Sequence, residues 1–317
     1  METRALDATD PDNRSLAIEE AARLLLAGEL VAFPTETVYG LGASALDERA
    51  IARVFEVKGR PLDNPLIVHV ADIAAIASVA LVDERVERLA AAFMPGPLTL
   101  VLPARDAVPA SARGGLATVA VRIPDHPVAL ELLRAAGPLV GPSANVSGRP
   151  SPTRAAHVID DLSGRIAAVL DGGPCRVGIE STVLDLSSGD ARILRPGLVE
   201  PAAIEAVLGA EVATAGGNDR RSPGTRYRHY APTAAVRLVL AEQPPVIAPG
   251  ARIVLTTRRH LDRFNGVFVR LLTEERLYAL LRDADDAGIE EIVIYAEPGE
   301  LAPGLLDRVT RAAGAEH

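Results

Sequence analysis

The sequence predicts an α/β protein of two units: an N-terminal mixed sheet with helices, of α+β character, and a small C-terminal parallel α/β unit. Three observations carry this. As far as about residue 208, strand-like and helix-periodic runs are interspersed without regular alternation. Between 209 and 235, Gly, Ser, Arg and Pro dominate and no apolar period survives. From 236 to 317 a strand–helix alternation restarts. The chain therefore divides into a larger domain at 14–208, a linker at 209–235 and a small domain at 236–317.

Taken in order, 16–27 has helical apolar spacing and stops at Gly28. A strand over 30–34 runs into the polar stretch 35–42. The face formed by Ala50, Ile51, Val54 and Phe55 predicts a helix over 47–57, which delivers the chain to Lys58. The run 66–70 reads as a buried strand, 72–80 and 83–93 as helices, and 98–102 as a strand after the Pro95-Gly-Pro97 break. A strand at 118–124 precedes a helix at 127–136 and a strand beginning at Leu139. Short strands follow at 167–171, 181–186 and 191–195. Beyond the linker, strands are expected at 236–240, 253–256, 267–271 and 289–295, with helices at 274–284 and 303–313. The small domain contains neither a Gly-x-Gly-x-x-Gly fingerprint nor a Walker loop.

Composition narrows the function. Apolar residues make up 48% and charged residues 24% of 317, enough for full cores in a soluble globular chain. Aromatics are 3% with no Trp, which disfavours a surface that stacks many bases. A net charge of −9 argues against a general nucleic-acid or membrane surface. A single cysteine, Cys175, excludes intrachain disulfides and multi-cysteine zinc sites. Residues 1–14 are polar and acidic, unlike a signal or transit peptide, and no apolar run reaches membrane-spanning length. The chain is cytoplasmic in character.

The candidate chemistry centres on residues 58–70, where Lys58, Arg60, Asn64 and His69 surround two prolines and a short apolar run. Cations held at the mouth of a strand suit a polyphosphate or carboxylate. Lys58 is the only lysine in the chain: either a compact ammonium is wanted there over a planar fork, or one leftover lysine lies by chance on a solvated loop, and the residue alone weighs the two equally. Arg122 lies inside an alternating strand and needs an anionic partner, either a local carboxylate or a ligand. Thr35 and Thr37 flank Glu36 at a strand end, although such threonines more often satisfy local backbone. Ser143 and Asn145 share a face after another strand, and Glu180-Ser181-Thr182 sits in a Gly-rich connection that reads equally as a turn. A lone strand histidine such as His69 is more often a satisfied core residue than a ligand.

The combination is more specific than its members. Phe33-Pro-Thr-Glu-Thr-Val-Tyr-Gly-Leu41, Lys58-x-Arg60, Ser143-x-Asn145 and the segment from Ser222 to Pro232 together resemble the YrdC-like family of threonylcarbamoyl-AMP synthases, in its long form with a linker and C-terminal domain. The resemblance implies a YrdC-like catalytic domain and a Rossmann-like small domain. It implies synthesis of threonylcarbamoyl-AMP and pyrophosphate from L-threonine, bicarbonate and ATP, with Mg²⁺ on the phosphates. A separate transferase would then pass the group to the adenosine beside the anticodon of certain tRNAs, so no stable nucleic-acid binding is expected. Carried over residue by residue, Lys58 and Arg60 would be catalytic. ATP would be held by them and by Asn64, Thr118, Ser143, Asn145, Arg195 and Tyr230, and threonine by Thr35, Thr37, His69, Arg122 and Ser181; no protein metal ligand is named. Lys58 and Arg60 are expected to face ligand and to be dispensable for the fold. The segment 222–232 holds two of the five tyrosines within four positions, too aromatic for a passive tether, and is expected to close over the cleft as a lid. Two alternatives remain: an RNA-binding module, and a related carbamoyl-adenylate enzyme of hydrogenase maturation. The cysteine-rich zinc fingers of the latter cannot be built from one cysteine.

Overall fold

The computed structural model describes residues 2–215, 221, 230–248, 250, 252–264 and 267–314. Strand β1 (Arg4–Asp7) leads into helix α1 (Arg14–Leu26), β2 (Val31–Phe33), β3 (Gly40–Ser44), α2 (Glu48–Lys58) and β4 (Ile67–His69). Next come α3 (Ile73–Val79), α4 (Glu84–Phe93), β5 (Leu98–Pro103), β6 (Thr118–Arg122), α5 (Pro127–Ala136) and β7 (Leu139–Val140). The first domain closes with α6 (Ala155–Leu162), β8 (Ala168–Asp171), β9 (Thr182–Asp185), β10 (Arg192–Arg195), α7 (Pro201–Leu208) and β11 (Ala213–Thr214). Its eleven strands form one mixed sheet, ordered β1-β8-β2-β3-β7-β4-β6-β5-β9-β10-β11.

Strand periodicity splits the apolar residues between two layers. In β2, Ala32 enters the core beneath α2 with Ile51, Val54 and Phe55. Its neighbours Val31 and Phe33 enter the other layer, with Ile18 and Leu25 of α1 and Leu132 of α5. Helix starts follow local chemistry. Asp47, Asp72 and Asp83 each accept a backbone N–H of the first turn of α2, α3 and α4. Helix α2 stops at Gly59, whose φ of 61° is left-handed. The strands that matter most for the site are β4 and β6, which pair in parallel with His69 opposite Arg122 at their carboxyl ends. Ligands of open α/β sheets bind at such ends.

The small domain contains β12 (Ala235–Leu240), β13 (Arg252–Thr256), a 3-10 segment (Arg258–Arg263), β14 (Phe268–Leu271), α8 (Leu277–Asp286), β15 (Glu291–Ala296) and α9 (Pro303–Ala312). Its sheet, ordered β12-β15-β13-β14, is wholly parallel. Its core is not its own alone. Val38, Val177 and Ile179 of the first domain pack into it with Tyr230, Leu277, Leu281 and Val309. No helix among the described residues is long and apolar enough to cross a membrane.

Several elements depart from the sequence reading. The large sheet begins at β1, ahead of residue 14, because Arg4–Asp7 pairs with β8 although only Leu6 of the four is buried. One buried residue in four gives no period to detect. Strand β3 falls largely in the stretch read as a polar loop. Its Gly42 lacks the Cβ that would meet Val31 O at 2.8 Å, so a residue of low strand propensity is what the pairing with β2 requires. Helices α6 and α7 and the short β11 were not anticipated, and β12 starts one residue before 236. Residues 222–229, most of the expected lid, lie outside the described residues.

Gly197 joins the two domains. A Cβ there would lie 2.4 Å from Thr182 N, and one on Gly304 of α9 would lie 2.9 Å from Gly197 backbone. Gly197→Ala is therefore expected to cost about 1–3 kcal/mol through overpacking, read as a lowered urea midpoint. A midpoint equal to that of the parent chain would show that this approach is not tight.

Candidate active site

A cleft of about 590 Å³, its open mouth included, lies over the ends of β4 and β6. Its floor is built around Arg122. The guanidinium is fixed by three partners: Nε donates to Gly96 O at 3.1 Å, Nη1 to Thr37 Oγ1 at 2.8 Å, and Nη2 lies 2.7 Å from Glu36 Oε2. The last pair is out of line for a hydrogen bond and is ionic. Glu36, fully buried behind the cleft wall, is thus the local carboxylate that a buried arginine calls for.

The hydroxyls around Arg122 have assignable directions. Thr35 donates its single proton to Val38 O at 2.6 Å. Thr37, 2.9 Å away, must then donate to Thr35 while accepting from Arg122. His69 stands beside them. Burial, aided by the Arg122 charge, drives its imidazole down to about 3, so it is neutral at physiological pH. Its Nδ1 is buried and makes no hydrogen bond among the described residues. Gly141 faces it so closely that a Cβ would lie 2.7 Å from Nδ1.

A second wall carries Ser181 and Arg195. Ser181 Oγ lies 2.7 Å from Thr99 Oγ1, and Arg195 Nη2 donates to Ser181 O and Oγ at 3.0 and 3.2 Å. Next to them Glu180 accepts from Ser151 Oγ at 2.6 Å, Tyr278 OH at 2.7 Å and Arg308 Nε at 2.7 Å. Burial alone would raise this carboxyl, but the charges of Arg308 and Arg195 with the Ser151 bond bring it down to about 2. The roof is Tyr230. Its φ of 64° is left-handed, a conformation that costs a non-glycine residue about 1–3 kcal/mol. Ring packing on Tyr278, 5.3 Å between centroids, and Arg308 against its face hold it there. Ala231 N donates to Gly148 O at 2.9 Å, which ties this end of the linker to the first domain.

Thr35, Thr37, Arg60, His69, Arg122, Ser143, Ser181, Arg195 and Tyr230 thus come together along one cleft. Lys58, Asn64, Thr118 and Asn145 do not line it. Lys58 is buried, and its ammonium donates to Ser143 O and, at 2.6 Å, to Asn145 O. Asn64 Oδ1 accepts from Arg60 Nη2 at 2.7 Å and so aims the cation that does face the cleft. Asn145 spends its amide on Val146 O and Arg149 O. Thr118 sits at the other end of β6 from Arg122, about 13 Å away by strand rise. The sequence offered no signal for Thr99, Tyr278 or Arg308. Glu180 read equally as part of a turn, and Glu36 appeared only as the residue between two threonines.

Fold and site define a two-domain α/β protein whose cleft is lined by arginines and hydroxyls, groups suited to a small anion. Comparison with known proteins makes this specific. Residues 23–197 match the family described as "Telomere recombination" (Sua5_yciO_yrdC) and residues 199–314 match "Threonylcarbamoyl-AMP synthase, C-terminal domain". The chain is 41% identical to the threonylcarbamoyl-AMP synthase of Bacillus subtilis, over 98% of this chain and 96% of that protein. It is 43% identical to that of Pyrococcus abyssi, over 94% of each. The crystal structure of P. abyssi Sua5 complexed with L-threonine superposes with a TM-score of 0.88 at 38% identity, covering 98% of both chains. The chain belongs to the Sua5/YciO/YrdC family in its two-domain form.

Two predictions follow from this geometry. Lys58→Ala was expected to spare the fold. The structure corrects this, because removing the Lys58 amine takes the side-chain donor from Asn145 O, at about 1–3 kcal/mol, and leaves Ser143 O with only the Asn145 N–H. A lowered urea midpoint is therefore expected, and Arg60→Ala should lower it too, because Asn64 O, Asn64 Oδ1 and Pro65 O lose their shared donor. The second concerns acid. Glu180 ionises more readily folded than unfolded, so as pH falls the unfolded chain takes up the proton first. Its stabilisation is present above about 4.5 and is lost towards 2. Glu180→Gln should flatten that part of the stability–pH curve. An unchanged slope would mean that the carboxylate is not held as described.

Proposed function

We propose that the chain synthesises L-threonylcarbamoyl-AMP and pyrophosphate from L-threonine, bicarbonate and ATP, for N6-threonylcarbamoyladenosine beside the anticodon of tRNA. The observation that carries this reading is the fixed guanidinium of Arg122, with neutral His69 and the Thr35–Thr37 pair beside it. An α-amino acid carboxylate meets a pre-oriented fork there, and little order is lost on binding. The threonine-bound relative of the same architecture supports the choice of amino acid.

The reaction divides between the two walls. The threonine ammonium loses a proton and its nitrogen bonds to the bicarbonate carbon, with loss of water. A carbamate oxygen then bonds to the α-phosphorus of ATP and pyrophosphate leaves. Arg60 and Arg195 face the side where the nucleotide would lie, with Ser143 and Tyr230. Three anions must share the cleft, and the arginines lower their mutual repulsion. Lys58, Asn64 and Asn145 act from behind, by fixing the Ser143 loop and aiming Arg60. No covalent enzyme intermediate is needed, and positioning supplies much of the rate.

Among the described residues no cluster of three or more His, Cys, Asp or Glu side chains is arranged to hold a metal. Glu36 and Glu180 are engaged by arginines. Mg²⁺ accordingly fits as a companion of ATP, neutralising phosphate charge, with most of its ligands from phosphate and water. The mixed anhydride hydrolyses readily, so it would be passed promptly to a separate transferase acting on tRNA, in the cytoplasm.

Incubation with ATP, bicarbonate and one amino acid, scored for pyrophosphate and for the adenylate by mass spectrometry, tests the proposal. Threonine is expected to give both products. Serine should be poorer by about 1–3 kcal/mol for the lost methyl, and valine poorer still. Arg60→Ala should lose roughly 2–4 kcal/mol of transition-state stabilisation. Equal turnover of valine and threonine would show that the hydroxyl is not read.

A further inference from the structure

We propose that Arg308 and Tyr278 of the small domain are positioning residues for the reaction in the first domain, acting through Glu180 and Tyr230. The inference rests on the function proposed above and gives the small domain a role in it. Arg308 is fully buried, at 0% exposure, although it comes from a helix of the other domain. It donates from Nε to Glu180 Oε2 at 2.7 Å and from Nη2 to Glu180 O at 3.3 Å, gripping side chain and backbone of one residue. Tyr278 OH donates to the same carboxylate oxygen at 2.7 Å.

Both residues also hold the roof. The Tyr230 ring lies 5.3 Å from that of Tyr278, with the Arg308 guanidinium carbon 5.5 Å from its centroid. Two side chains of α8 and α9 therefore fix a wall residue and the left-handed roof residue together. Glu180 precedes Ser181, whose carbonyl and hydroxyl accept from Arg195. A shift of Glu180 would consequently move Ser181 and Arg195. The Arg122 floor hangs on other supports, namely Glu36, Thr37 and Gly96, all within the first domain. The brace therefore acts on the wall of Ser181 and Arg195 and leaves alone the Arg122 floor, where the threonine carboxylate would bind.

The test uses the full chain with Arg308→Met and Tyr278→Phe. Pyrophosphate release is followed against threonine concentration, with hydrogen exchange over residues 178–182 measured in parallel. Arg308→Met is expected to lower kcat at least tenfold and Tyr278→Phe severalfold, each with the KM for threonine within twofold of the parent. Exchange at 178–182 should quicken in both variants. In a Tyr230→Ala background Arg308→Met should have a smaller effect on kcat, because the two share one route. Unchanged kcat per folded molecule would overturn the proposal. So would a fall in kcat that only matches the loss of folded protein, since that is a structural role alone. Should Arg308→Met fail to fold, Tyr278→Phe decides the matter, as it removes one hydroxyl at constant shape. If the parent chain releases no pyrophosphate with threonine, the functional reading fails, while exchange at 178–182 still reports whether the brace exists.

Discussion

The structure depends on one buried carboxylate. Glu180 lies at the seam of two domains, and its charge is tolerable there only because Arg308, Tyr278 and Ser151 surround it. The energetics of such a pair are asymmetric. The pair as a whole contributes little net stability, since desolvation offsets attraction, yet loss of one member strands the other in a dry seam. Docking of the small domain is thereby tied to the ionisation of a residue in the cleft wall. A second buried contact of the same kind, Arg282 on Asp161 and Pro150 O, fastens α8 to the loop after Asn145. The seam is thus held at two buried polar contacts.

Within the cleft, order is created by directional hydrogen bonds more than by packing. Thr35 ends a relay that starts at Arg122 and passes through Thr37, so the arginine is oriented by groups whose protons have one consistent arrangement. Neutral His69 adds a polar atom without a second charge. The floor therefore offers a single fixed cation to an incoming carboxylate, with its counter-charge placed behind at Glu36.

How much of this was legible follows from which signals are local. Helix α2 showed its face in sequence and α5 its bounds, because apolar spacing and a proline start are written within a dozen residues. Arg122 announced its need for a partner, since a charge in a half-buried strand is costly. The identity of that partner did not, because Glu36 reaches it only through the fold. Glu180 illustrates the same limit: in a Gly-rich connection it reads as a turn, and its meaning comes from α9, more than a hundred residues later. Lys58 was singled out correctly as unusual and given the wrong fold role. Its compact amine meets two converging carbonyls that hold the Ser143 loop, and burial pushes it well below the usual lysine range.

The burial of that residue has a consequence for the molecule as a reagent. Since Lys58 is the sole lysine, no side-chain amine is displayed to solvent, and basic surface charge is carried by guanidinium groups. Guanidinium keeps its proton well into the alkaline range, where surface amines would have discharged. The positive side of the electrostatic surface therefore does not fade as the medium becomes basic. Acylating agents and lysine-directed crosslinkers find no exposed side-chain handle, and trypsin can cleave the native chain only after arginine.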